Sequence, residues 1–307
     1  MGFDYMALAL CQVAQSLHGD FGKVLTLGRQ EVRITNEHLR RLGIPALQPV
    51  PDYCEQLLME RFGAEQVDAL DASDYEGATL VADLNEPSKV LDSLISLYDV
   101  VLDFGTLEHV FDVRRAFDAV GSAIRVGGIE IHLLPANQEC GHGLYQFSPE
   151  FFFSYFSPEN GYASSRFYLV EPVRPEVWYE LEPPILGERL TIRSRSSVYI
   201  AVIAQKMESI VERSLQQSDY LHSWQEHDSC ATSDNRIVLG NQKTLRGGLA
   251  GRIRDTSSRI SPARELLRRY RSTRSWFPML WAPIQCTGKL TKISLPRESS
   301  HIAAPRE

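Results

Sequence analysis

The sequence has no apolar run that approaches the roughly 20 residues needed to cross a bilayer. Its first residues lack the basic stretch and the small-residue cleavage site of a secretory signal, and this predicts a cytoplasmic protein. The five cysteines are widely spaced and include no Cys-x-x-Cys pair, so we expect them to be reduced and structural. No set of cysteine, histidine or carboxylate residues has the spacing of a metal site, and no metal is predicted.

Charge and composition narrow the class of protein further. The formal net charge of −7 at pH 7 argues against nucleic acid as the main partner. Hydrophobic residues make up 43% and charged residues 23% of the chain, as in globular proteins that bury a sizeable core. A length of 307 residues accommodates one large domain with an appendage, or two modest domains.

The segment Tyr98–Phe111, which reads YDVVLDFGTLEHVF, predicts a buried strand that leads through a turn into a helix. Val100–Leu102 form a continuous apolar run, which is typical of a parallel strand covered on both faces. Residues 103–106 interrupt that run, and helical spacing resumes over Leu107–Val120. A turn in this position lies at the carboxyl edge of a parallel sheet, where open α/β folds bind their ligands.

This strand, its turn and the following pair Glu108-His109 resemble the class I S-adenosylmethionine-dependent methyltransferases. The double glycine Gly127-Gly128 and the strand after it strengthen the resemblance, which covers about residues 20 to 205. It implies an α/β fold with a Rossmann-like, doubly wound sheet of seven strands whose last strand is antiparallel. The segments 167–173 and 197–204 would then form an antiparallel hairpin at the sheet edge. The cofactor that the resemblance implies is S-adenosylmethionine.

The predicted first strand, Lys23–Gln30, ends in one glycine where the resembled family has several. In that family the glycines let the backbone approach the methionine end of the cofactor closely. Only Gly28 is present here, and it could equally be an ordinary turn glycine. We therefore expect Arg29 or Gln30 to hold the methionine carboxylate by side-chain hydrogen bonds, the alternative for Arg29 being a solvated surface charge.

Two further predicted strands, at 66–71 and 79–84, end in acids at the same edge of the sheet. The resemblance implies that Asp71 accepts hydrogen bonds from the ribose hydroxyls and Asp83 from the adenine amine, since both groups are donors. The alternative for each acid is a solvated strand end or a helix cap. The complete set predicted to bind the cofactor is Gly28, Arg29, Gln30, Asp71, Ala72, Asp83, Leu84, Phe104, Gly105 and Thr106.

The predicted catalytic residues are His109, Glu108 and His142. His109 is expected to act as a general base at the start of the helix, where the helix dipole would lower its pKa and keep the ring neutral. The alternative for His109 is a ring hydrogen-bonded to the backbone. Glu108 would face the cofactor or support the loop, and His142 would act as base if His109 does not. His132, within an apolar strand, is expected to be a core histidine.

Three residues are predicted to contact the substrate. Tyr145 and Gln146 precede the helix that Ser148 is expected to cap, on the edge of the sheet where an acceptor would lie. Tyr5 belongs to a predicted N-terminal helix over residues 3 to 17, which has an apolar stripe. This helix is either a packing helix or a lid over the ligand.

The resemblance implies a one-carbon transferase of biosynthesis that passes the methyl group to an oxygen or nitrogen of a small molecule or glycan. The chemistry requires in-line positioning and, for a hydroxyl acceptor, a base. Two alternatives stay open at this point. One is another use of the cofactor, such as cyclisation. The other is a non-catalytic binding protein, which the missing glycines favour. The sequence indicates neither the acceptor nor the oligomeric state.

The C-terminal third differs in character from the predicted domain of residues 1 to 205. Residues 206 to 307 are expected to form a mostly helical or partly disordered basic extension, disordered from about Leu295. Within it, Lys243–Arg274 contain ten basic residues against two acids. The segment 243–281, which adds aromatic residues, would contact an anionic membrane surface, an acidic partner or the acidic body of the same chain.

Overall fold

The computed structural model describes residues 2–184, 190–209, 215–217, 220, 284–286 and 289–295. No helix within these ranges is both long and apolar enough to cross a membrane. The helices are α1 (Tyr5–His18), α2 (Asn36–Arg41), α3 (Cys54–Phe62), α4 (Lys89–Ser93), α5 (Val113–Ala123) and α6 (Pro149–Tyr155), with single 3-10 turns at Leu107–His109 and Pro158–Asn160. The strands are β1 (Gly22–Leu27), β2 (Ala64–Asp71), β3 (Leu80–Val81), β4 (Tyr98–Asp103), β5 (Ile124–Asn137), β6 (Tyr162–Glu171), β7 (Arg174–Leu181), β8 (Ile192–Ser194), β9 (Val198–Lys206), β10 (Ile284–Cys286) and β11 (Leu290–Ser294).

The large sheet has the strand order β11-β7-β6-β9-β5-β4-β1-β2-β3. β1 pairs in parallel with β2 on one side and with β4 on the other, and β3 and β5 continue the parallel set outward. The direction in which the chain adds strands therefore reverses between β1 and β4. This reversal is the topological switch point of a doubly wound sheet, beside which such folds bind ligands. The predicted Rossmann-like, doubly wound α/β fold is confirmed.

The other half of the sheet is antiparallel, and here two expectations are wrong. β9 pairs antiparallel with both β5 and β6, so an antiparallel strand is present as predicted. The described residues form nine strands in this sheet rather than seven, because β7 and β11 extend it. β6 and β9 are neighbours but not an edge hairpin, since β6 turns directly into β7 and pairs with it.

Part of the C-terminal extension belongs to the sheet. β11 pairs with β7 from Leu290 opposite Leu181 to Ser294 opposite Val177, and β10 pairs with β8. Leu295 is buried. The described part of the extension thus contains strands where the sequence predicts helix or disorder. The basic segment 243–281 and the chain end after residue 295 lie outside the described residues, and the domain division at residue 205 stays a prediction.

Side chains that alternate along the strands divide the core into two layers. Val100 and Leu102 of β4 face the layer that contains α1 and α3. Val101 faces the opposite layer, which contains α5 and α6. β4 is therefore covered on both faces, as its continuous apolar run predicts. The buried thiols of Cys11 and Cys54 are free, as expected for structural cysteines.

Helix α1 packs on the core. Asp4 caps its first turn by accepting a hydrogen bond from the backbone nitrogen of Ala7. Residues 6–11 of the helix are buried. The ring of Tyr5 lies against the ring of His38, with 5.4 Å between centroids. The packing interpretation of this helix is confirmed, and a contact between Tyr5 and substrate stays a prediction.

Removal of β10 and β11 should destabilise the sheet without unfolding it. A chain truncated after residue 283 loses the backbone bonds to β7 and the burial of Leu295, a side chain worth about 1.5–3 kcal/mol. We expect cooperative urea unfolding at a lower midpoint than for the full chain. A chain truncated after residue 295 is the control and should unfold as the full chain does. Equal midpoints for both truncations would show that β11 adds nothing to stability.

Candidate active site

The ends of β1, β2 and β4 bring three predicted cofactor residues together. Gly28, directly after β1, has a φ of +70°, and its backbone nitrogen donates to the carbonyl of Leu70 at 2.7 Å. A Cβ at this position would lie 3.1 Å from Thr106 Oγ1 and 3.8 Å from Asp71 Oδ2. The positive φ favours glycine, and the close approach leaves little space for a side chain. The bare backbone of Gly28 therefore faces both polar side chains.

Asp103, the last residue of β4, holds the turn that follows it. Its Oδ1 accepts hydrogen bonds from the backbone nitrogens of Thr106 and Leu107, at 2.9 and 3.4 Å. Thr106 Oγ1 in turn donates to the carbonyl of Leu27 at 2.8 Å, which ties this turn to β1. Sequence reasoning overlooked Asp103. The available signal was an acid at the end of a buried strand, followed by a turn glycine.

The other two predicted residues of this turn have different surroundings. Gly105 adopts a φ of +101°, a conformation that favours glycine. Phe104 is fully buried, and its ring packs edge-on against Phe3 with 5.5 Å between centroids. Phe104 therefore fixes the turn from the core side, whereas Gly105 and Thr106 lie at the sheet edge.

Arg29 and Gln30 make different contacts. Arg29 forms an ion pair with Glu55 at 2.7 Å, and its guanidinium lies 4.0 Å from the centroid of the Tyr53 ring. Gln30 is only 5% exposed and donates from Nε2 to the carbonyl of Leu27 at 2.6 Å. Its Oε1 is buried without a hydrogen-bond partner in the described part of the chain. The charge of Arg29 is thus already paired, whereas Gln30 has a buried oxygen without a partner among the described residues.

Asp71 lies where the sequence predicts it, as the last residue of β2. Its Oδ1 accepts a hydrogen bond from the backbone nitrogen of Ser73 at 3.3 Å, and its Oδ2 faces Gly28. Ala72, the next residue, is exposed at the same edge. The acid that is predicted to bind ribose is thus beside the glycine that is predicted to admit the cofactor.

Asp83 lies two residues beyond its strand, because β3 ends at Val81 and not at Leu84 as predicted. Its Oδ1 accepts hydrogen bonds from the backbone and side-chain nitrogens of Asn85, both at 2.8 Å. Asp83 is exposed and Leu84 is buried. Asp83 therefore stabilises a turn and caps no helix, since Ser88 caps α4, and its contact with adenine stays a prediction.

Glu108, His109 and His142 form a polar cluster next to this edge, which we call the Glu-His-His cluster. Glu108 Oε1 lies 3.2 Å from His142 Nε2 and 3.8 Å from His109 Nε2. The two imidazole rings meet edge-on with 5.0 Å between centroids. Glu108 has no exposed side-chain surface, whereas the side chains of His109 and His142 are 50% and 31% exposed. All three predicted catalytic residues are therefore in one place.

The loop after β5 is fixed to Glu108 and carries His142 into the cluster. The backbone nitrogens of Leu144 and Tyr145 both donate to the carbonyl of Glu108, at 2.7 and 3.1 Å. Gly143 has a φ of +68°, and a Cβ there would lie 2.8 Å from Glu108 Cγ. Only glycine permits so close an approach. The contact between Glu108 and His142 spans 34 positions, so no local spacing in the sequence indicates it.

Tyr145 and Gln146 brace this loop. The hydroxyl of Tyr145 donates to the carbonyl of Phe111 at 2.8 Å. Gln146 Oε1 accepts a hydrogen bond from the backbone nitrogen of Glu139 at 2.8 Å. Both side chains therefore help to position His142, and their contact with substrate stays a prediction.

Burial and neighbouring charges shift the ionisation of the cluster. Burial raises the pKa of Glu108 to about 8, and the charge of Asp103 adds to this effect. Burial, followed by the charge of His142, lowers the pKa of His109. The direction for His109 agrees with the prediction, but the predicted helix start at Leu107 is wrong. Residues 107–109 form a separate 3-10 turn, and α5 begins at Val113, so burial replaces the helix dipole as the main cause.

A buried ion network lies beneath the turn after β4. His132 of β5 is fully buried, with Nδ1 3.2 Å from Asp103 Oδ2 and Nε2 3.3 Å from Glu130 Oε2. The hydroxyl of Tyr162 donates to the other oxygen of Glu130. Burial alone would lower the pKa of His132, but hydrogen bonds to the two carboxylates outweigh it and raise the pKa to about 9. His132 is a core histidine, as predicted, and is charged at neutral pH.

Comparison with known proteins gives fold-level similarity alone. No protein-family model matches the chain, and no curated protein matches its sequence. A 1,6-didemethyltoxoflavin-N1-methyltransferase from Burkholderia thailandensis, solved with bound 1,6-didemethyltoxoflavin and S-adenosylhomocysteine, overlaps 66% of this chain and 79% of its own, with 14% identity and a TM-score of 0.37. The YcgJ protein of Bacillus subtilis overlaps 66% of this chain and 100% of its own, with 12% identity and a TM-score of 0.35.

A third solved structure is similar to the same degree. The CMeT domain of the citrinin polyketide synthase overlaps 66% of this chain and 52% of its own, with 14% identity and a TM-score of 0.38. Similarity at this level establishes neither a family nor a function for the chain. The fold assignment rests on the strand order of the sheet and on its switch point between β1 and β4.

Replacement of His132 by Gln should destabilise the protein. The variant leaves Asp103 and Glu130 buried without a cation between them, which costs about 3–5 kcal/mol. The folded-state pKa of about 9 lies above the unfolded value of about 6.5. The stabilisation that the protonated His132 ring provides is therefore fully present below the unfolded pKa of this ring. It is lost as pH rises through its folded pKa.

Urea unfolding of the wild type and of His132→Gln measures this effect. The pH values should lie between the unfolded pKa of about 6.5 and the folded pKa of about 9, and above the folded pKa. We expect the difference in unfolding free energy to be largest at the acidic end and to shrink towards alkaline pH. His38→Gln, which removes a ring that packs on Tyr5, is the control and should leave the pH dependence unchanged. A difference for His132→Gln that is constant across the range would rule out a charged His132.

Proposed function

We propose that this protein is an S-adenosylmethionine-dependent methyltransferase whose acceptor is an oxygen or nitrogen of a small molecule or glycan. The observation that carries the proposal is the convergence of predicted cofactor residues at the switch point, beside the Glu-His-His cluster. The residues that converge there are Gly28, Gln30, Asp71 and Thr106. The neighbour from Burkholderia thailandensis, which is named as an N-methyltransferase, is consistent with this class of reaction but does not carry the argument.

Two features of the edge fit this cofactor. The first is the backbone of Gly28, which has no side chain and therefore lets the methionine end of the cofactor approach closely. A Cβ at this position would narrow that space. The second is the buried Oε1 of Gln30, which lacks a donor in the described residues and suits the methionine ammonium group. Asp71 supplies the acceptor for the ribose hydroxyls. Because Arg29 is paired with Glu55, the contact to the methionine carboxylate passes to the second N–H of Gln30 Nε2, whose first N–H donates to the carbonyl of Leu27.

The Glu-His-His cluster supplies the proton chemistry. When bound, the cofactor provides the methyl group, and the protein has to hold the acceptor in line with it. A hydroxyl acceptor must also lose its proton, and His109 Nε2 accepts it because the lowered pKa keeps the ring neutral. Glu108, 3.8 Å away, would stabilise the charged ring when its own carboxyl group, whose pKa is raised to about 8, is ionised. An amine acceptor is already a nucleophile and needs this base less.

Asp71→Ala should weaken the binding of S-adenosylhomocysteine by about 1.5–3 kcal/mol, because the ribose hydroxyls lose a charged acceptor. Isothermal titration of the wild type and the variant measures the change. Asp74→Ala, which removes an exposed acid from the loop after β2, is the matched control and should bind as the wild type does. An unchanged affinity in Asp71→Ala would remove Asp71 from the site.

The wild-type titrations also separate the alternatives. Absence of heat with both S-adenosylmethionine and S-adenosylhomocysteine would overturn the proposal and favour a non-catalytic binding protein. Mass spectrometry of the reaction mixture tests the remaining alternative. Consumption of S-adenosylmethionine without a methylated product would indicate a different use of the cofactor, such as cyclisation.

His109→Ala should lower turnover with a hydroxyl acceptor by about 10² to 10⁴ fold, the usual contribution of a general base. Its affinity for S-adenosylhomocysteine should stay nearly unchanged, because no predicted cofactor contact involves His109. Release of S-adenosylhomocysteine with a panel of hydroxylated small molecules and glycans is the assay, and His38→Ala is the control. Normal turnover in His109→Ala together with loss in His142→Ala would transfer the base role to His142.

A further inference from the structure

The Glu-His-His cluster has the ligand types and separations of a cation site. Its three side chains each offer one ligand atom, and these atoms all lie within 4.8 Å of one another. Two of the separations, from Glu108 Oε1 to the Nε2 atoms of His142 and His109, are 3.2 and 3.8 Å. Ligand atoms that share one ion at metal-ligand distances near 2.1 Å lie roughly 3.0–3.4 Å apart at tetrahedral or octahedral angles. Small side-chain movements would therefore bring all three onto one ion.

The carboxylate of Glu108 provides an independent observation. Its side chain is fully buried, and Oε2 has no hydrogen-bond partner within the described residues. In the same part of the chain, its ion-pair partners are the two histidines, and no lysine or arginine pairs with it. Ionisation of a buried carboxyl group without a compensating charge is strongly unfavourable. A divalent cation between the carboxylate and the imidazoles would supply that compensation.

The two histidines give the cluster its access to solvent and its metal preference. Their side chains are partly exposed, so an ion from solvent can reach their rings. Two imidazoles and one carboxylate suit borderline transition-metal cations and leave coordination positions open for a further ligand. Mg²⁺ and Ca²⁺ prefer sites made of oxygen ligands alone. The donor set therefore favours a cation of the Zn²⁺ type.

We propose that Glu108, His109 and His142 bind a divalent transition-metal cation and leave at least one coordination position open. This site goes beyond the proposed function and does not rest on it, since cation binding requires neither cofactor nor acceptor. A ring nitrogen of His109 that binds the cation cannot accept a proton at the same time. In the loaded protein the cation would take over activation of an acceptor oxygen at its open position.

Co²⁺ is a suitable probe because its visible absorption reports the ligand geometry. The full chain, freed of any affinity tag and stripped with a chelator, is titrated with Co²⁺ and then with Zn²⁺ as competitor. We expect saturation at one Co²⁺ per chain and displacement of the absorption bands by Zn²⁺. Glu108→Gln and His142→Gln should each weaken Co²⁺ binding by roughly tenfold or more.

Two control variants test other sources of binding. Cys140 is an exposed free thiol on the loop that carries His142, and Cys140→Ser should bind Co²⁺ as the wild type does. His38→Gln removes a histidine outside the cluster and should also leave binding unchanged. Circular dichroism confirms that each variant is folded, and Glu108→Gln preserves the shape of the buried side chain.

Three results would overturn the site. They are absence of saturable Co²⁺ or Zn²⁺ binding in the wild type, binding that persists in both cluster variants, and binding that is lost in Cys140→Ser. Titration of the metal-free wild type with S-adenosylhomocysteine distinguishes the two proposals. Cofactor binding without cation binding would overturn this site alone, and cation binding without cofactor binding would overturn the proposed function alone.

Discussion

The charged ring of His132 lies between the carboxylates of Asp103 and Glu130, in the part of the sheet where water is excluded. Asp103 uses one oxygen for this ring and the other for the backbone nitrogens of the turn after β4. This turn also positions Thr106 beside Gly28 and leads directly into Glu108. One buried ion network therefore fixes the strand end from which both halves of the candidate active site start, which makes it a strong constraint on the architecture.

Glu108 connects the structural and the chemical parts of the site. Its carbonyl accepts two backbone hydrogen bonds from the loop after β5, and its carboxylate lies beside the two imidazoles. Burial raises the pKa of Glu108, and the charge of Asp103 adds to this effect. The same carboxylate of Asp103 thus shapes the turn through hydrogen bonds and contributes, after burial, to the raised pKa of Glu108 through its charge.

The sequence predicts the parts of the fold that depend on local pattern. The apolar run Val100–Leu102 indicates a strand buried on both faces, and Asp71 ends β2 where expected. The helix start at Leu107 is wrong because Asp112 caps α5 instead, a local signal that was overlooked. Contacts between distant segments leave no local pattern, so β11 beside β7 was not predicted. Nor was the docking of His142 on Glu108.

The position of β11 has a consequence for synthesis of the chain. Leu181 of β7 pairs with Leu290 of β11, so the edge of the sheet is completed by residues that the ribosome adds much later. At ordinary elongation rates this interval is roughly 5–20 s. During that time β7 presents unpaired backbone groups, and an uncovered strand edge is a template for pairing with other chains. Nascent chains that stall in this interval therefore leave this strand edge open to pairing with other chains and to chaperones.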